Sequence, residues 1–137
     1  MKAFKLELDT PYRRFFSGEV VAVTLTLADG DITIYADHSF ITAPVKTGVL
    51  KIKTKNGGWK SAFIADGILE VKGHGTIIMA DAAEWPEEID RERAEKALAA
   101  ARESLDAGTF KFETSTAEAA ARRAQIRLKV IDLNKQI

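Results

Sequence analysis

Hydrophobic and polar residues alternate along the first part of the chain. Phe4, Leu6 and Leu8 occupy every second position, and the pattern recurs from Val21 to Leu27. A period of two buries one face of a β-strand and leaves the other in solvent. Strands at intervals of about 8–12 residues with short turns predict an antiparallel sandwich or barrel. Five shorter runs continue the pattern between turns rich in Gly, Asp and Asn: residues 31–35, 48–53, 59–65, 67–72 and 76–80.

The pattern changes after Trp85-Pro86, where hydrophobic residues recur at the three- and four-residue spacing of a helix. Asp90 is placed to cap a first helix, and Gly108 is placed to end it. The change of period divides the chain into a β-domain, residues 1–86, and a helical hairpin, residues 87–137.

The second helix is predicted to begin at Ser115, which forms a capping-box pattern with Glu118, and to run to about Lys135. The segment between the helices is then a connector. Two apolar stripes run along this helix, although a helix packed against one surface needs only one. They predict burial on two sides, and the alternative is a different burial in two conformational states. The stripes are Ala120, Ala124, Leu128 and Ile131, and Ile126, Val130, Leu133 and Ile137.

Charge is sorted between the two predicted helices, although the chain has 20 basic and 20 acidic residues and no net charge. Residues 87–106 carry seven acidic and four basic side chains, whereas residues 107–137 carry three acidic and six basic ones. One interpretation is the mutual attraction of helices packed antiparallel. The other is a basic surface for an acidic partner, formed by Arg122, Arg123, Arg127, Lys129 and Lys135.

The sequence lacks the residues of the common catalytic and metal sites. It has no cysteine, which excludes disulfides and thiolate ligands, and it has no GxxxxGK[ST] or GxGxxG phosphate-binding loop. The two histidines, His38 and His74, lie in separate predicted loops, and nothing orders a catalytic triad around them. We therefore predict no enzymatic activity for the chain by itself, no metal site and no required cofactor.

Neutrality also argues against a nucleic-acid partner, because no basic field covers the chain. Trp59 with Lys53, Lys55 and Lys60 is the only aromatic and basic grouping that could suit a β-barrel binding nucleic acid. No run approaches the roughly 18 apolar residues of a membrane span. The N-terminus shows strand alternation rather than a signal peptide. Membrane association is therefore expected only through a partner.

Six segments, in order along the chain, resemble the ε subunit of F-type ATP synthases. The first begins with an extended strand and a Thr-Pro turn and ends in Phe-x-Gly-Glu-Val. The others match that family's loop, its last sandwich strands and its two C-terminal helices. The segments are "LELDTPYRRFFSGEV" (6–20), "GDITIYADHSFITAPVKTGVLKI" (30–52), "GILEV" (67–71), "TIIMADAAE" (76–84), "IDRERAEKA" (89–97) and "QIRLKVIDLNK" (125–135).

The resemblance implies an N-terminal flattened antiparallel β-sandwich of about ten strands, followed by a C-terminal two-helix hairpin. It implies a rotor subunit at the foot of the central stalk, on the cytoplasmic face of the bacterial inner (plasma) membrane. There the subunit would contact the γ subunit and the c ring and couple proton flow to ATP synthesis. In bacterial members the helices permit ATP hydrolysis when folded on the sandwich and inhibit it when extended toward the catalytic β subunits. The alternative function is a stand-alone nucleotide-sensing module that is not assembled in the synthase.

The stretch "IDRERA" (89–94) resembles a regulatory ATP site. In some bacterial members the motif [IL]-D-x-x-R-A binds ATP and holds the helices down, and the motif is complete here. Guanidinium groups from both helices would converge on the triphosphate, so that ATP would stabilise the folded-down state. The residues implied are Glu84, Ile89, Asp90, Arg93, Ala94, Arg123 and Arg127.

One arginine of the family pattern is missing, because position 100 is alanine and Arg102 is the nearest substitute. The loss of one charge-assisted contact costs about 1.5–3 kcal/mol. The alternative interpretation of the stretch is that Asp90 caps the helix while Arg93 forms ion pairs on its surface. The two interpretations are compatible.

Two further surfaces follow from the resemblance. Asp31 and His38 match positions that face the c ring, and simple loop polarity is the alternative. An inhibitory basic helix face would meet the β subunits, and its members are Arg122, Arg123, Arg127 and Lys129.

Overall fold

The structure, a computed structural model, describes residues 2–106 and 111–135, with the backbone alone for residues 111–115. A nine-stranded β-sandwich is followed by a short 3-10 turn and two helices. The strands are β1 (Phe4–Asp9), β2 (Arg14–Leu27), β3 (Gly30–Ile34), β4 (Ile41–Val45), β5 (Gly48–Thr54), β6 (Trp59–Ile64), β7 (Gly67–Lys72), β8 (Gly75–Ala80) and β9 (Ala83–Glu84). The 3-10 turn is Pro86–Glu88, and the helices are α1 (Arg91–Asp106) and α2 (Lys111–Lys135).

The sheet is organised around β2, a strand of 14 residues that pairs with β1, β3, β4 and β5. The strand order is β1-β8-β7-β4-β2-β5-β6-β9, with β3 attached to β2, and β1 also pairs with β2. The predicted sandwich is confirmed, with nine strands over the described residues instead of about ten. One pairing departs from the antiparallel prediction, because β1 and β8 run parallel.

Alternation in the sequence accounts for most of the sandwich core. Leu6 and Leu8 on β1 are fully buried, as predicted. The pattern breaks in β2, where the four residues from Val20 to Val23 are all buried. A register shift between Val20 and Ala22 in the pairing with β5 accounts for this break, since an irregularity turns consecutive side chains out of strict alternation.

Two strands were not predicted from the pattern, β4 and β9. Pro44 lies inside β4, and proline within a run argues against a central strand because it cannot donate a backbone hydrogen bond. β4 tolerates it because β4 pairs along its length with β7 but meets β2 only at Val45. β9 has only two residues, which is too short for alternation to be visible.

The helical hairpin is confirmed, but the predicted start of α2 is wrong. The backbone of α2 is already helical at Lys111, so Ser115 lies inside the helix and does not cap it, and residues 111–114 are not a connector. Extending a helix adds one hydrogen bond for each residue that is fixed, and no Gly or Pro interrupts residues 111–115. The capping-box pattern is therefore overridden. Gly108, the predicted end of the first helix, lies outside the described residues.

α2 is buried on two sides, as its two stripes predict. Ala121 and Ala124 are buried on the side packed against α1. Ile126 and Val130 are buried on the other side, where they form a cluster with Phe63 of β6. Two-sided burial is therefore confirmed for the docked helix. Ala120 is an exception because it is exposed, and Ile137 lies outside the described residues.

Candidate functional site

The segment before α1 is fixed to the sandwich by stacking and by a salt bridge. The Trp85 ring stacks on Phe15, with ring centroids 4.3 Å apart and planes inclined by 22°. Arg13 pairs with Glu88 at 2.8 Å, and the Trp85 backbone N–H donates to the same carboxylate at 2.8 Å. The Arg13 hydrogen bond is the main cause that lowers the pKa of Glu88, and the Trp85 N–H adds to it. The start of the hairpin therefore has a defined position.

Asp90 caps α1, as predicted. Its Oδ1 accepts the backbone N–H of Arg93 at 3.1 Å, which satisfies one of the free donors in the first helical turn. Its own backbone carbonyl accepts the N–H of Ala94 at 3.0 Å. Asp90 also lines the cleft described below.

Arg127 ties α2 to the sandwich. Its guanidinium donates two hydrogen bonds to Glu84, at 3.0 and 2.9 Å, and lies 4.4 Å from the centre of the Phe63 ring. The side chains of Arg127 and Glu84 are only 29% and 28% exposed, so the pair is partly shielded from solvent. Two parallel bonds between a guanidinium and a carboxylate are strong and fix geometry. The predicted residues Glu84 and Arg127 therefore meet, and they bind each other.

A cleft of about 320 Å³ lies between this ion pair and the start of α1. Three carboxylates and two guanidinium groups line it, and Arg13 pairs with one of these carboxylates, Glu88, so that the site is close to neutral. The Arg127 guanidinium is neutralised by Glu84, whereas the Arg93 side chain has no hydrogen bond or ion pair with any described residue. Arg93 is thus the cation available to an anionic ligand. The lining residues are Glu84, Glu88, Ile89, Asp90, Arg93, Ala94, Ala97 and Arg127.

Six of the seven residues predicted for nucleotide binding line this cleft, and Arg123 is the exception. The Arg91–Asp132 ion pair at 2.6 Å joins the N-terminal end of α1 to the C-terminal end of α2. In that antiparallel arrangement Arg123 lies at about the level of Ala100. Ala100 lines a neighbouring groove of small residues between the helices. Position 100 lies about two helical turns after Arg93 and therefore on the same face of α1, so that a longer side chain there would point toward the cleft.

Arg102 cannot replace the missing arginine. Residues two apart on a helix are separated by about 200°, so Arg102 points away from the side that Ala100 presents to α2. It is exposed, whereas Ala101 beside it is buried against α2. The expectation that Arg102 is a substitute is therefore wrong.

Two participants were missed from the sequence. Glu88 lines the cleft, and its position two residues before the Asp90 cap could have suggested it. Phe63 supports Arg127, and its signal was a run of four apolar residues, Ala62–Ala65, which breaks alternation and indicates a strand buried on both faces.

Asp31 and His38 lie at opposite ends of β3 and line different clefts. Asp31 accepts a hydrogen bond from the Thr26 hydroxyl at 2.7 Å and lines a cleft beside α2. His38 lies beyond the other end of β3, in a cleft shared with Lys2 and His74. The structure therefore does not bring the two predicted ring-facing residues together, and it brings His38 and His74 to one cleft although their loops are distant in sequence.

The predicted inhibitory basic face is divided in the docked hairpin. Arg122 and Lys129 lie on one side of the buried Ile126, in the cleft that contains Asp31. Arg127 lies on the other side, with Glu84. Three of the four predicted residues, Arg122, Arg127 and Lys129, are therefore directed at the sandwich in this arrangement.

Two family profiles match adjacent parts of the chain. The profile described as ATP synthase, Delta/Epsilon chain, beta-sandwich domain matches residues 3–86. The profile described as ATP synthase, Delta/Epsilon chain, long alpha-helix domain matches residues 87–132. The chain belongs to the ATP synthase delta/epsilon chain family. The resemblance to the epsilon chain of F-type ATP synthases is thereby confirmed.

Bacterial relatives of this family carry the name ATP synthase epsilon chain. One from Caldanaerobacter subterraneus subsp. tengcongensis is 47% identical over 130 residues, which cover 94% of each chain. One from Caldicellulosiruptor bescii is 43% identical over 136 residues, covering 99% of this chain and 98% of the relative. The match therefore extends over both the sandwich and the helices.

Solved structures share the fold at low sequence identity. A chain in a cryo-EM structure of the Euglena gracilis mitochondrial ATP synthase is 22% identical, with a TM-score of 0.72, covering 98% of this chain and 80% of that one. A chain in the central stalk and c-ring structure of the Tetrahymena thermophila mitochondrial ATP synthase is 14% identical, with a TM-score of 0.61, covering 95% and 97%. Neither helix of this chain, over the residues described, is long and apolar enough to cross a membrane.

Proposed function

We propose that this chain is a non-catalytic subunit of the central stalk of a bacterial F-type ATP synthase. Its helical hairpin would act as a regulatory arm at the cytoplasmic face of the membrane. The observation that carries the proposal is the narrow junction between hairpin and sandwich. Four buried residues form its centre, with the Glu84–Arg127 pair at its edge. The central residues are Phe63, Ala65, Ile126 and Val130, and the partly buried Val49, Ala82 and Ile89 pack against them. A junction of this size can be released without unfolding the sandwich.

An apolar patch on the sandwich supports docking to another subunit. Pro44, Ile68 and Met79 are cross-strand neighbours on β4, β7 and β8, and all three are exposed. Contiguous exposed apolar residues are typical of protein interaction sites. We propose that this patch contacts the γ subunit. Asp31 and His38 would contact the c ring at two separate points, because they line different clefts.

Co-assembly tests the stalk assignment. The Ile68→Asp/Met79→Asp double variant should fail to co-purify with γ and the catalytic subunits of its own synthase. Tyr12→Asp is the matched control, because Tyr12 is 89% exposed on a turn outside the patch. If the double variant co-purified as well as the wild-type chain, the patch would not be part of the interface with γ. Failure of the unmodified chain to assemble, combined with nucleotide binding, would favour the stand-alone sensing module.

The hairpin would inhibit ATP hydrolysis when basic side chains of α2 leave the sandwich and bind the β subunits instead. In the docked arrangement Arg127 is held by Glu84, and Arg122 and Lys129 face the sandwich. Extension along γ would release these side chains, together with Arg123, for an acidic segment of the β subunits. The same cations cannot serve both arrangements, so anything that stabilises docking would relieve inhibition.

ATP is proposed as the ligand that stabilises docking, although it is not a required cofactor. The cleft beside Asp90 is bounded by α1, α2 and the sandwich end, so a ligand within it would contact both the hairpin and the sandwich. Arg93 supplies the available guanidinium. Glu84 and Glu88 are paired with Arg127 and Arg13, so Asp90 is the carboxylate that opposes a triphosphate. Position 100, an arginine in the family pattern, is alanine here and supplies no cation. We therefore expect weak binding, in the millimolar range, unless magnesium offsets the acidic side chains.

Calorimetric titration of the chain with ATP, with and without magnesium, tests this assignment. Arg93→Ala should weaken binding by about tenfold or more, since it removes a charge-assisted contact. Arg102→Ala is the matched control, because Arg102 is on the same helix but points away from the cleft. An equal loss of ATP affinity in Arg93→Ala and Arg102→Ala would indicate unspecific attraction by net charge. If Arg93→Ala bound ATP as tightly as the wild-type chain, this cleft would not be the ATP site.

A further inference from the structure

A second cleft lies on the other side of α2 from the Glu84–Arg127 pair. It has a volume of about 180 Å³ and is bounded by β2, β3 and β5 of the sandwich and by α2. Lys51 comes from β5, and Arg122 and Lys129 come from the helix. Asp31 and the Thr26 hydroxyl lie on the sandwich wall. We call these five residues the cationic cleft.

The charges of the cationic cleft are unbalanced. Three cations face one carboxylate, and none of the three forms an ion pair with a described residue. The Asp31 carboxylate accepts a hydrogen bond from Thr26 at 2.7 Å. The excess is therefore about +2, whereas the cleft beside Asp90 is close to neutral once the Arg13 partner of Glu88 is counted. Coulomb attraction consequently favours an oxyanion here over that cleft.

The positions of the cations suit a shared ligand. Arg122 and Lys129 are seven residues apart, which places them about 10 Å apart along the axis and on the same helix face. Lys51 approaches from the sandwich. An anion between them would contact the hairpin and the sandwich together, and it would relieve the repulsion that three like charges impose on docking.

We propose that the cationic cleft binds a multivalent phosphate-type oxyanion, either free phosphate or a short polyphosphate chain, and thereby holds the hairpin on the sandwich. This site is separate from the cleft assigned to ATP. Docking would then respond to phosphate as well as to the adenine nucleotide. The two clefts flank the same buried row, Ile126 and Val130, so both ligands would stabilise the same docked state.

Calorimetry of the full chain with tripolyphosphate, at constant ionic strength in phosphate-free buffer, tests the site. Lys129→Gln should weaken binding roughly fivefold or more through the lost charge-assisted contact. Asp31→Asn should raise the affinity for tripolyphosphate severalfold, because it removes the carboxylate that repels the anion. A misfolded variant would not bind more tightly. Arg93→Gln should weaken binding less than Lys129→Gln does, because the cleft beside Asp90 lacks the charge excess of the cationic cleft. Lys55→Gln is the control for general surface charge, because Lys55 is exposed and pairs with Glu19, outside the cleft.

Inorganic phosphate and ATP titrations identify the source of the phosphate. We expect phosphate and tripolyphosphate to lose more affinity in Lys129→Gln than in Arg93→Gln, and ATP to lose more affinity in Arg93→Gln than in Lys129→Gln. Tripolyphosphate binding lost in Arg93→Gln and kept in Lys129→Gln would move the site to the other cleft and overturn the proposal. Equal losses in Lys129→Gln and Lys55→Gln, or the absence of binding at about 10 mM, would also overturn it. None of these outcomes depends on assembly with the synthase.

Discussion

Removing the Arg127 guanidinium should weaken docking of the hairpin more than removing its partner carboxylate. Arg127→Gln loses two charge-assisted hydrogen bonds to Glu84 and the contact with the Phe63 ring. Exposed ion pairs contribute up to about 1 kcal/mol, and hydrogen bonds to charged groups about 1.5–3 kcal/mol. At 29% and 28% exposure this pair falls between, at about 1.5 kcal/mol. The cation–π contact adds about 0.5–1 kcal/mol.

We therefore expect Arg127→Gln to lower the free energy of docking by about 2–2.5 kcal/mol and Glu84→Gln by about 1.5 kcal/mol. The double variant should show a coupling energy near 1.5 kcal/mol, since the ion pair is lost only once. The assay is a urea titration followed by methyl NMR signals. Val130 reports docking because it is fully buried against Phe63, and Ile52 reports the sandwich core.

Arg102→Gln is the matched control for this experiment. It removes the same charge from the same hairpin at an exposed position, and Arg102 forms no ion pair with a described residue. The Val130 midpoint should shift in Arg127→Gln and stay nearly constant in Arg102→Gln, with the Ile52 midpoint unchanged in both. If the Val130 and Ile52 signals were lost together in all variants, the hairpin would not be a separable unit and our reasoning would be refuted.

Three further predictions concern the turn into β7, the hairpin start and the nucleotide cleft. Gly67→Ala should lower the melting temperature by several degrees, because a Cβ at Gly67 would lie 2.7 Å from a Cα of β8, whereas Gly18→Ala should be nearly neutral. The Glu88 carboxyl, whose pKa is lowered from 4.5 chiefly by Arg13, contributes stability that is complete above pH 4.5 and lost as the pH falls through the lowered pKa. Glu88→Gln should therefore reduce the unfolding free energy at pH 7 by less than about 1 kcal/mol, and this deficit should shrink as the pH falls through the lowered pKa. Ala100→Arg should raise the ATP affinity measured by calorimetry roughly tenfold by supplying the missing cation.

Each of these three has an outcome that would contradict it. A wild-type melting temperature for Gly67→Ala would mean that β7 and β8 can separate locally at no cost. A constant deficit of Glu88→Gln between pH 7 and pH 3 would point to packing rather than charge. Ala99 is exposed on a different face of α1. If Ala99→Arg raised the ATP affinity as much as Ala100→Arg, the gain would be due to net charge and not to a contact in the cleft.

Local patterns predicted most of the secondary structure because they report short-range physics. The run 67–72 predicted β7 with its observed bounds, since alternation and flanking turns act within a few residues. The Asp90 cap was predicted for the same reason. The start of α2 was predicted wrongly, because the capping pattern at Ser115 competes with continuation of the helix through this residue. β4 was not predicted because it contains Pro44. Whether a strand can contain a proline depends on which of its edges is paired, and this cannot be read from the sequence.

The family and most of the candidate cleft could also be read from the sequence. "IDRERA", Glu84 and Arg127 marked six residues that line one cleft. The sequence could not show that Glu84 and Arg127 neutralise each other across 43 positions, or that Arg102 points away from the cleft. Both depend on how the hairpin docks as a unit, which no local pattern contains.

The sequence by itself determined the alternating strands, the two helices, the Asp90 cap and the need of α2 for two apolar surroundings. These follow from periods of two and 3.6 residues and from the chemistry of single side chains. The tertiary structure alone decided that α2 covers Phe63, that β1 runs parallel to β8, and that Asp31 faces the cations of α2 rather than the cleft of His38. Periodicity fixes which face of an element is apolar, but only packing between distant elements fixes which faces meet.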